Sequence, residues 1–191
     1  PSIDIYALAM MCSPEQILET WARAQCNPIP PKLMAIGPVQ EEIHRGDTLL
    51  AHGGLEEFPI PISTPGFDSA PFITAGNFVS KDPSTGIINV GNHRGMVKSP
   101  LRIGCLADHG QHIRKHWGMY RKMGIAMPVA VVIGPTPNVG LVATAKVPYE
   151  ADEYHIAGGM AGEPLELVKC QTVDLEVPAS AEIVLEGSIP T

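Results

Sequence analysis

Three clusters of residues carry groups that can do chemistry. His109, His112 and His116 are spaced by three and four residues. On a helix that spacing puts all three on one face, and two imidazoles a turn apart can share a metal ion. The zinc-hydrolase form of the pattern places a glutamate next to the first histidine as general base. Here Ile113, Arg114 and Lys115 fill the interval between His112 and His116, so the pattern reads equally as a solvated face with one partly buried histidine. The second cluster lies in GIINVGNHRGMVK (86–98). On a strand, Asn89, Gly91 and His93 point one way and Asn92 and Arg94 the other. Arg94 is a candidate anion anchor, since a guanidinium grips carboxylate or phosphate through two parallel bonds; the competing reading is an ordinary exposed strand arginine. The third cluster is Asp152-Glu153, followed by the small residues Ala157, Gly158 and Gly159. A carboxylate there can ligate a hard cation, and glycine lets a backbone approach something bulky; a solvent-facing turn is the alternative. From the residues alone, a mixed Asn/His/Glu metal site is one reading, and it points to no particular reaction.

The elements that must position these groups are mostly strands. Ser13-Pro14-Glu15-Gln16 predicts a helix start, with Ser13 as cap, Pro14 in the first turn and Gln16 as capping-box partner. Ile17, Leu18, Trp21 and Ala22 then form its apolar face, and the prolines of NPIPPK (27–32) end it. Residues 51–71, rich in Gly, Pro and Ser, predict an extended connection between an end of one lobe (1–50) and a second region (72–191). FITAGNFVS (72–80) and GIINVGNHRGMVK (86–98) predict a hairpin across KDPSTG, where Asp-Pro and a following Gly make a turn. Ile113, Trp117, Tyr120 and Met123 predict a helix over 108–123, closed by Gly124. Strands are predicted at 128–134, 141–147, 172–178 and 181–187. The result is an α+β fold with a mainly antiparallel sheet or barrel.

Composition sets outer limits. The chain has 191 residues, 45% hydrophobic and 17% charged, with a formal net charge of −7. That apolar content argues against disorder, and its uncharged apolar runs fall short of a membrane span. An acidic chain with no basic cluster is a poor candidate for sequence-independent nucleic-acid binding. Its 19 glycines and 19 prolines predict many turns. Cys12, Cys26, Cys105 and Cys170 form no Cys-x-x-Cys pair, which argues against a disulfide scaffold and a cysteine zinc site. The N-terminus lacks the order of a secretory signal, so a cytoplasmic location is the default expectation. Pro1 in place of an initiator methionine predicts a processed product or a piece of a longer chain.

The order of segments adds more. KDPSTGIINVGNHRGMVK, GQHIRKHWGMYRKMG, MPVAVVIGPTP and DEYHIAGGMAGEPLELVKCQTVDLEVPASAEIVLEG follow one another, and together they resemble the UbiD family of prenylated-FMN-dependent reversible decarboxylases. The resemblance runs through essentially the whole chain, and its longest motif is ELVKCQTVDLEVPASAEIVLEG. It implies a split β-barrel related to flavin reductases. It implies a cofactor phosphate held through manganese (or magnesium), with potassium nearby. The family's metal ligands match Asn89, His112 and Glu153; its arginine matches Arg94; its Gln-His pair matches Gln111-His112. The resemblance thus selects His112 over His109 and His116, and Glu153 over Asp152. Val90, Gly91, Asn92 and His93 join the cofactor-binding set. Arg94 is implied to hold the carboxylate of an aromatic or α,β-unsaturated acid as CO2 leaves, before a glutamic acid reprotonates the carbon.

The family's two catalytic glutamates follow the VLEG segment. They are therefore expected from a downstream segment or a partner chain, in a homo- or hetero-oligomer, and Glu182 and Glu186 are not substitutes. A noncatalytic flavin-fold subunit of a larger complex, and an unrelated metal hydrolase using the histidine face, are the alternatives. The substrate and the direction of the reaction are not legible in the residues.

Overall fold

The computed structural model describes residues 2–191; Pro1, and the expectation of processing tied to it, lie outside them. In chain order, the first half holds α1 (Ile3–Ala9), α2 (Ile17–Cys26), β1 (Lys32–Leu33), α3 (Asp47–Ala51), β2 (Phe72–Lys81), β3 (Ile88–Ser99) and β4 (Arg102–Cys105). The second half holds α4 (His112–Met123), β5 (Met127–Ile133), α5 (Pro137–Thr144), α6 (Glu153–Ala161), β6 (Glu166–Lys169), β7 (Glu176–Pro178) and β8 (Ile183–Ile189). No helix of the described residues is long and apolar enough to cross a membrane.

Five strands make one antiparallel sheet in the order β4-β3-β2-β5-β8. Its centre is the predicted hairpin. The Asp82 carboxylate accepts the N–H groups of Ser84 (2.7 Å) and Thr85 (3.1 Å), and Gly86 takes φ +78° to complete the turn. The register that follows pairs Ser80 with Asn89, Val79 with Val90 and Phe78 with Gly91. Register shifts at Ile73/Gly76 and Val97/Ser99 bend the strands, and the sheet curls into a half-barrel, as an α+β split-barrel reading expects.

The sheet is covered on both faces. Val79, Val90, Ala130 and Val132 belong to a core shared with Ala24 of α2, Val139 and Val142 of α5 and Ile156 and Met160 of α6. Phe78, Val129 and Val131 belong to a second core with Ile113 of α4, flanked by Trp117 and Tyr120. A small sheet in the order β1-β6-β7, with β1 parallel to β6, ties the N-terminal part to residues 166–178.

Several sequence expectations are corrected. Residues 141–147 are not a strand: α5 covers Pro137–Thr144, with Pro137 in its first turn. The run is apolar on nearly every side, so periodicity could not tell strand from buried helix. Residues 153–161 form α6 rather than a turn, capped by Asp152, whose carboxylate accepts the Tyr154 N–H at 2.9 Å. The helix of 108–123 begins only at His112, which leaves His109 in an exposed turn before it. The inner face of α2 is Ile17, Thr20, Trp21 and Ala24, while Leu18 is 81% exposed. The strand of 172–178 shrinks to β7, and β6 and α1 had no counterpart in the prediction. Residues 51–71 begin with the end of α3 and a 3-10 turn, Gly54–Glu57, before the chain runs extended.

Candidate functional site

The predicted metal ligands sit on three elements, Asn89 on β3, His112 at the start of α4 and Glu153 at the start of α6, and β3 packs against both helices. Asn89 and Val90 are buried on β3, and Glu153 opens α6. The Val90 N–H donates to Oε2 of Glu153 at 3.1 Å, which ties the first turn of α6 to β3. The neighbouring acid is differently engaged. Asp152 caps α6 through Tyr154 and lies 3.9 Å from Nε2 of His155. Both acids meet β3, Asp152 through the Ile88 N–H and Glu153 through the Val90 N–H.

His112 belongs to α4, which packs on the opposite face of the sheet from α6. Directly paired residues of a ladder share a face of the sheet, so Asn89 shares a face with its partner Ser80. Ser80 shares a 3.0 Å hydrogen bond with Nδ1 of His116, so this is the face on which α4 packs. His112 stands one turn before His116 and sets its ring edge-on to Tyr149, with centroids 5.2 Å apart. His116 packs on the same tyrosine at 5.7 Å. The Tyr149 hydroxyl donates to Asp82 at 2.5 Å, and Lys115 lies 4.5 Å over the tyrosine ring. Gln111 is the residue preceding α4, and its side-chain oxygen accepts the Asp108 N–H at 2.8 Å.

Along β3 the predicted alternation holds in burial. His93 is buried, its ring edge-on to Phe78 at 5.6 Å, while Asn92 and Arg94 are exposed. A Cβ at Gly91 would come within 2.7 Å of Nε2 of His93, so that ring would have to shift to admit one. Arg94 extends over the Phe72 ring at 5.7 Å.

Burial shapes the electrostatics. Glu153 is 4% exposed, and burial pushes its carboxyl up to about 8 against the backbone N–H groups of Val90 and of Glu153 itself. Burial is also the main cause that lowers His112, with Lys115 adding to it. His116 is driven to about 4, chiefly by burial. Burial opposes ionisation of Asp82 as well, but the bonds from Tyr149, Ser84 and Thr85 outweigh it and hold the group below the ordinary range. An amide oxygen, an imidazole and a carboxylate form a donor set suited to a hard or borderline divalent ion such as manganese or magnesium. A buried carboxylate held only by neutral backbone donors is a group that a cation would stabilise.

Sequence reasoning missed Ser80, Asp82 and Tyr149, which frame the histidines. Asp82 was legible only as a turn residue, and nothing in the spacing marks Tyr149. A cavity of about 490 Å³ opens elsewhere, on the face of the sheet lined by Phe78, Val131 and Leu185, and takes in none of Asn89, His112 or Glu153. The four cysteines are free; burial pushes Cys105 up to about 11 and Cys170 up to about 12.

Comparisons with known proteins bear on this arrangement. The family model described as UbiD, 3-octaprenyl-4-hydroxybenzoate carboxy-lyase Rift-related domain, matches residues 33–191. An anhydromevalonate phosphate decarboxylase of Methanothermobacter thermautotrophicus is 33% identical over 183 residues, 96% of this chain and 41% of that protein. The UbiD-class enzyme HmfF of Pelotomaculum thermopropionicum, solved in complex with FMN, superposes with a TM-score of 0.91 at 38% identity. The match covers 99% of this chain and 42% of that one. An evolved dimeric form of HmfF, in complex with prFMN, gives 0.86 at 36% identity over 99% of this chain and 44% of that one. The chain therefore spans about two fifths of the length of these relatives.

Proposed function

This chain belongs to the UbiD family, and from that premise we propose that it is the cofactor- and metal-holding part of a reversible decarboxylase acting on an aromatic or α,β-unsaturated carboxylic acid. Asn89, His112 and Glu153 would hold manganese or magnesium against the phosphate of a prenylated FMN, with potassium close by. Val90, Gly91, Asn92, His93 and Gln111 complete the cofactor-binding set. The complexes of HmfF with FMN and with prFMN support this assignment of the cofactor. When bound, the prenylated flavin supplies an electron sink for the charge left as CO2 departs.

The chain's own residues then have distinct tasks. Glu153 and Asn89 present oxygen ligands from two elements that the Val90 hydrogen bond locks together. His112 is oriented by Tyr149, itself held by Asp82. Arg94, exposed on β3, would grip the substrate carboxylate through paired hydrogen bonds and orient it for loss. Return of a proton to carbon needs a carboxylic acid that neither Glu182 nor Glu186 supplies. Glu186 already accepts the N–H groups of Gln171 and Thr172 and the Thr172 hydroxyl, and Glu182 is packed against Gly134. We assign that acid to a glutamate outside these 191 residues, in a homo- or hetero-oligomeric enzyme.

The observation that carries the reading is the buried Glu153 carboxylate bonded to the backbone of β3 beside Asn89. The test is the flavin absorbance and manganese content of the natively purified protein. Glu153→Gln and His112→Ala are expected to lower both together, manganese affinity by at least about tenfold, with unchanged far-UV circular dichroism. Retention of flavin and manganese by both variants refutes the assignment.

A further inference from the structure

A second group of potential metal ligands lies around α3 and the 3-10 turn Gly54–Glu57 that follows it. His44 and His52 stack with ring centroids 3.8 Å apart at an interplanar angle of 28°. Glu57 serves both: its Oε2 is 3.2 Å from Nδ1 of His44, and its Oε1 is 3.9 Å from Nδ1 of His52. One ligand atom from each of the three lies within 4.8 Å of the others. A common ion would need bonds of about 2.0–2.1 Å to each of the three, and the His52 side chain, 48% exposed, lies at the surface.

The environment of His44 is the independent observation. While Nδ1 faces Glu57, the far nitrogen Nε2 meets Oε1 of Glu42 at 2.8 Å. A carboxylate on the far nitrogen fixes the tautomer and orientation of a metal-bound imidazole and raises its basicity. Glu42 and Glu57 thus grip the same ring from its two ends, one as outer partner and one as neighbouring ligand.

We propose that His44, His52 and Glu57 bind one divalent transition ion of the zinc or cobalt class, with Glu42 as the outer partner of His44. Two imidazoles and one carboxylate are the donors of a zinc centre with a fourth position open. The set offers too few oxygens for calcium or magnesium. Glu42, His44 and Glu57 also line the cavity of about 490 Å³ whose walls include Phe78, Val131 and Leu185. An ion at its mouth would take water, or the carboxylate head of an apolar ligand, in the fourth position. The proposal is independent of the assignment of Asn89, His112 and Glu153.

The test uses the full chain, treated with chelator and titrated at neutral pH with cobalt, followed by its visible ligand-field bands, and then with zinc by calorimetry. The expected result is a tetrahedral cobalt spectrum that equimolar zinc abolishes. His52→Ala and the near-isosteric Glu57→Gln should each weaken binding at least about tenfold, with the melting temperature of the metal-free protein unchanged. His112→Ala separates this site from the other and should keep the tetrahedral bands. Absence of those bands in the unmodified chain overturns the proposal. So does their survival at full affinity in both His52→Ala and Glu57→Gln, or their loss in His112→Ala with retention in His52→Ala.

Discussion

Two histidines one turn apart on α4 have different fates, and burial decides which. His112, at the open end of the helix, is only half-buried against Tyr149. His116 is 1% exposed and committed to Ser80. Burial disfavours the charged ring and takes His116 from an ordinary value of 6.5 to about 4. The sign of the linkage follows. Above pH 6.5 neither the folded nor the unfolded chain protonates this ring, and its contribution is fully present. Between 6.5 and 4 the unfolded chain takes up a proton that the folded chain refuses, so stability falls with pH, and below 4 the loss is complete. The loss from this one group is on the order of 3 kcal/mol at most. Glu153, whose folded value is raised, works in the opposite direction, so the total pH profile mixes the two. The stability difference between the wild type and His116→Gln isolates the histidine. Denaturant unfolding should show the wild type's advantage at pH 7 shrinking as pH falls through the 6.5-to-4 window. A constant difference across that window would mean that the ring protonates freely in the fold.

At the scale of elements, the position of α6 matters most, because it delivers Glu153. Gly158 and Gly159 sit inside that helix for a packing reason. A Cβ at Gly158 would lie 2.7 Å from the Ile29 carbonyl oxygen, and one at Gly159 would lie 2.7 Å from that of Asn27. The segment after α2 runs against the bare backbone of α6, and the Ile29 N–H donates to the His155 carbonyl at 2.9 Å. Gly158→Ala should therefore cost about 1–3 kcal/mol through overpacking and lower manganese affinity as α6 shifts away from Val90. Gly140→Ala on α5 is the matched control. No atom stands within 4 Å of its Cβ, and it should be neutral or gain up to about 1 kcal/mol from helix propensity. Thermal melts of the two variants with a manganese titration check both statements.

The same two glycines show what the sequence could and could not say. Small residues after Glu153 signalled a close backbone approach, and the approach exists, but the chain approached is residues 27–29 and the element is a helix. The 82–86 turn was legible because Asp82 and Gly86 act locally, within four residues. The identity of α5 was not, because Val139, Val142 and Ala143 are buried by tertiary packing that leaves no amphipathic period. For the site, residue types and the family motif singled out Asn89, His112 and Glu153. The Tyr149–Asp82 and His116–Ser80 contacts join residues 67 and 36 positions apart, and local spacing carries no trace of them.

For the whole molecule, the half-barrel sheet couples the two cores. Adjacent residues of β2 point into opposite clusters: Phe78, 3% exposed, packs with Val131 and Ile113 on the α4 face, and Val79, fully buried, packs with Val90 and Val132 on the face of α5 and α6. The α4 side orients His112 and the other side carries Glu153, so neither core can loosen without disturbing the site. Phe78→Ala removes a ring that also supports His93, and the loss of buried area plus the void should cost about 3–5 kcal/mol, less if the neighbouring cavity collapses around it. Val79→Ala removes less and should cost about 1–3 kcal/mol on the opposite face. If one strand transmits both, each variant unfolds in a single transition, with near-ultraviolet and far-ultraviolet circular dichroism melting together. A Phe78→Ala protein in which the signal of Trp117, on the α4 side, melts before the bulk of the secondary structure would show that the two layers fold as separate units and that His112 and Glu153 ride on independent supports.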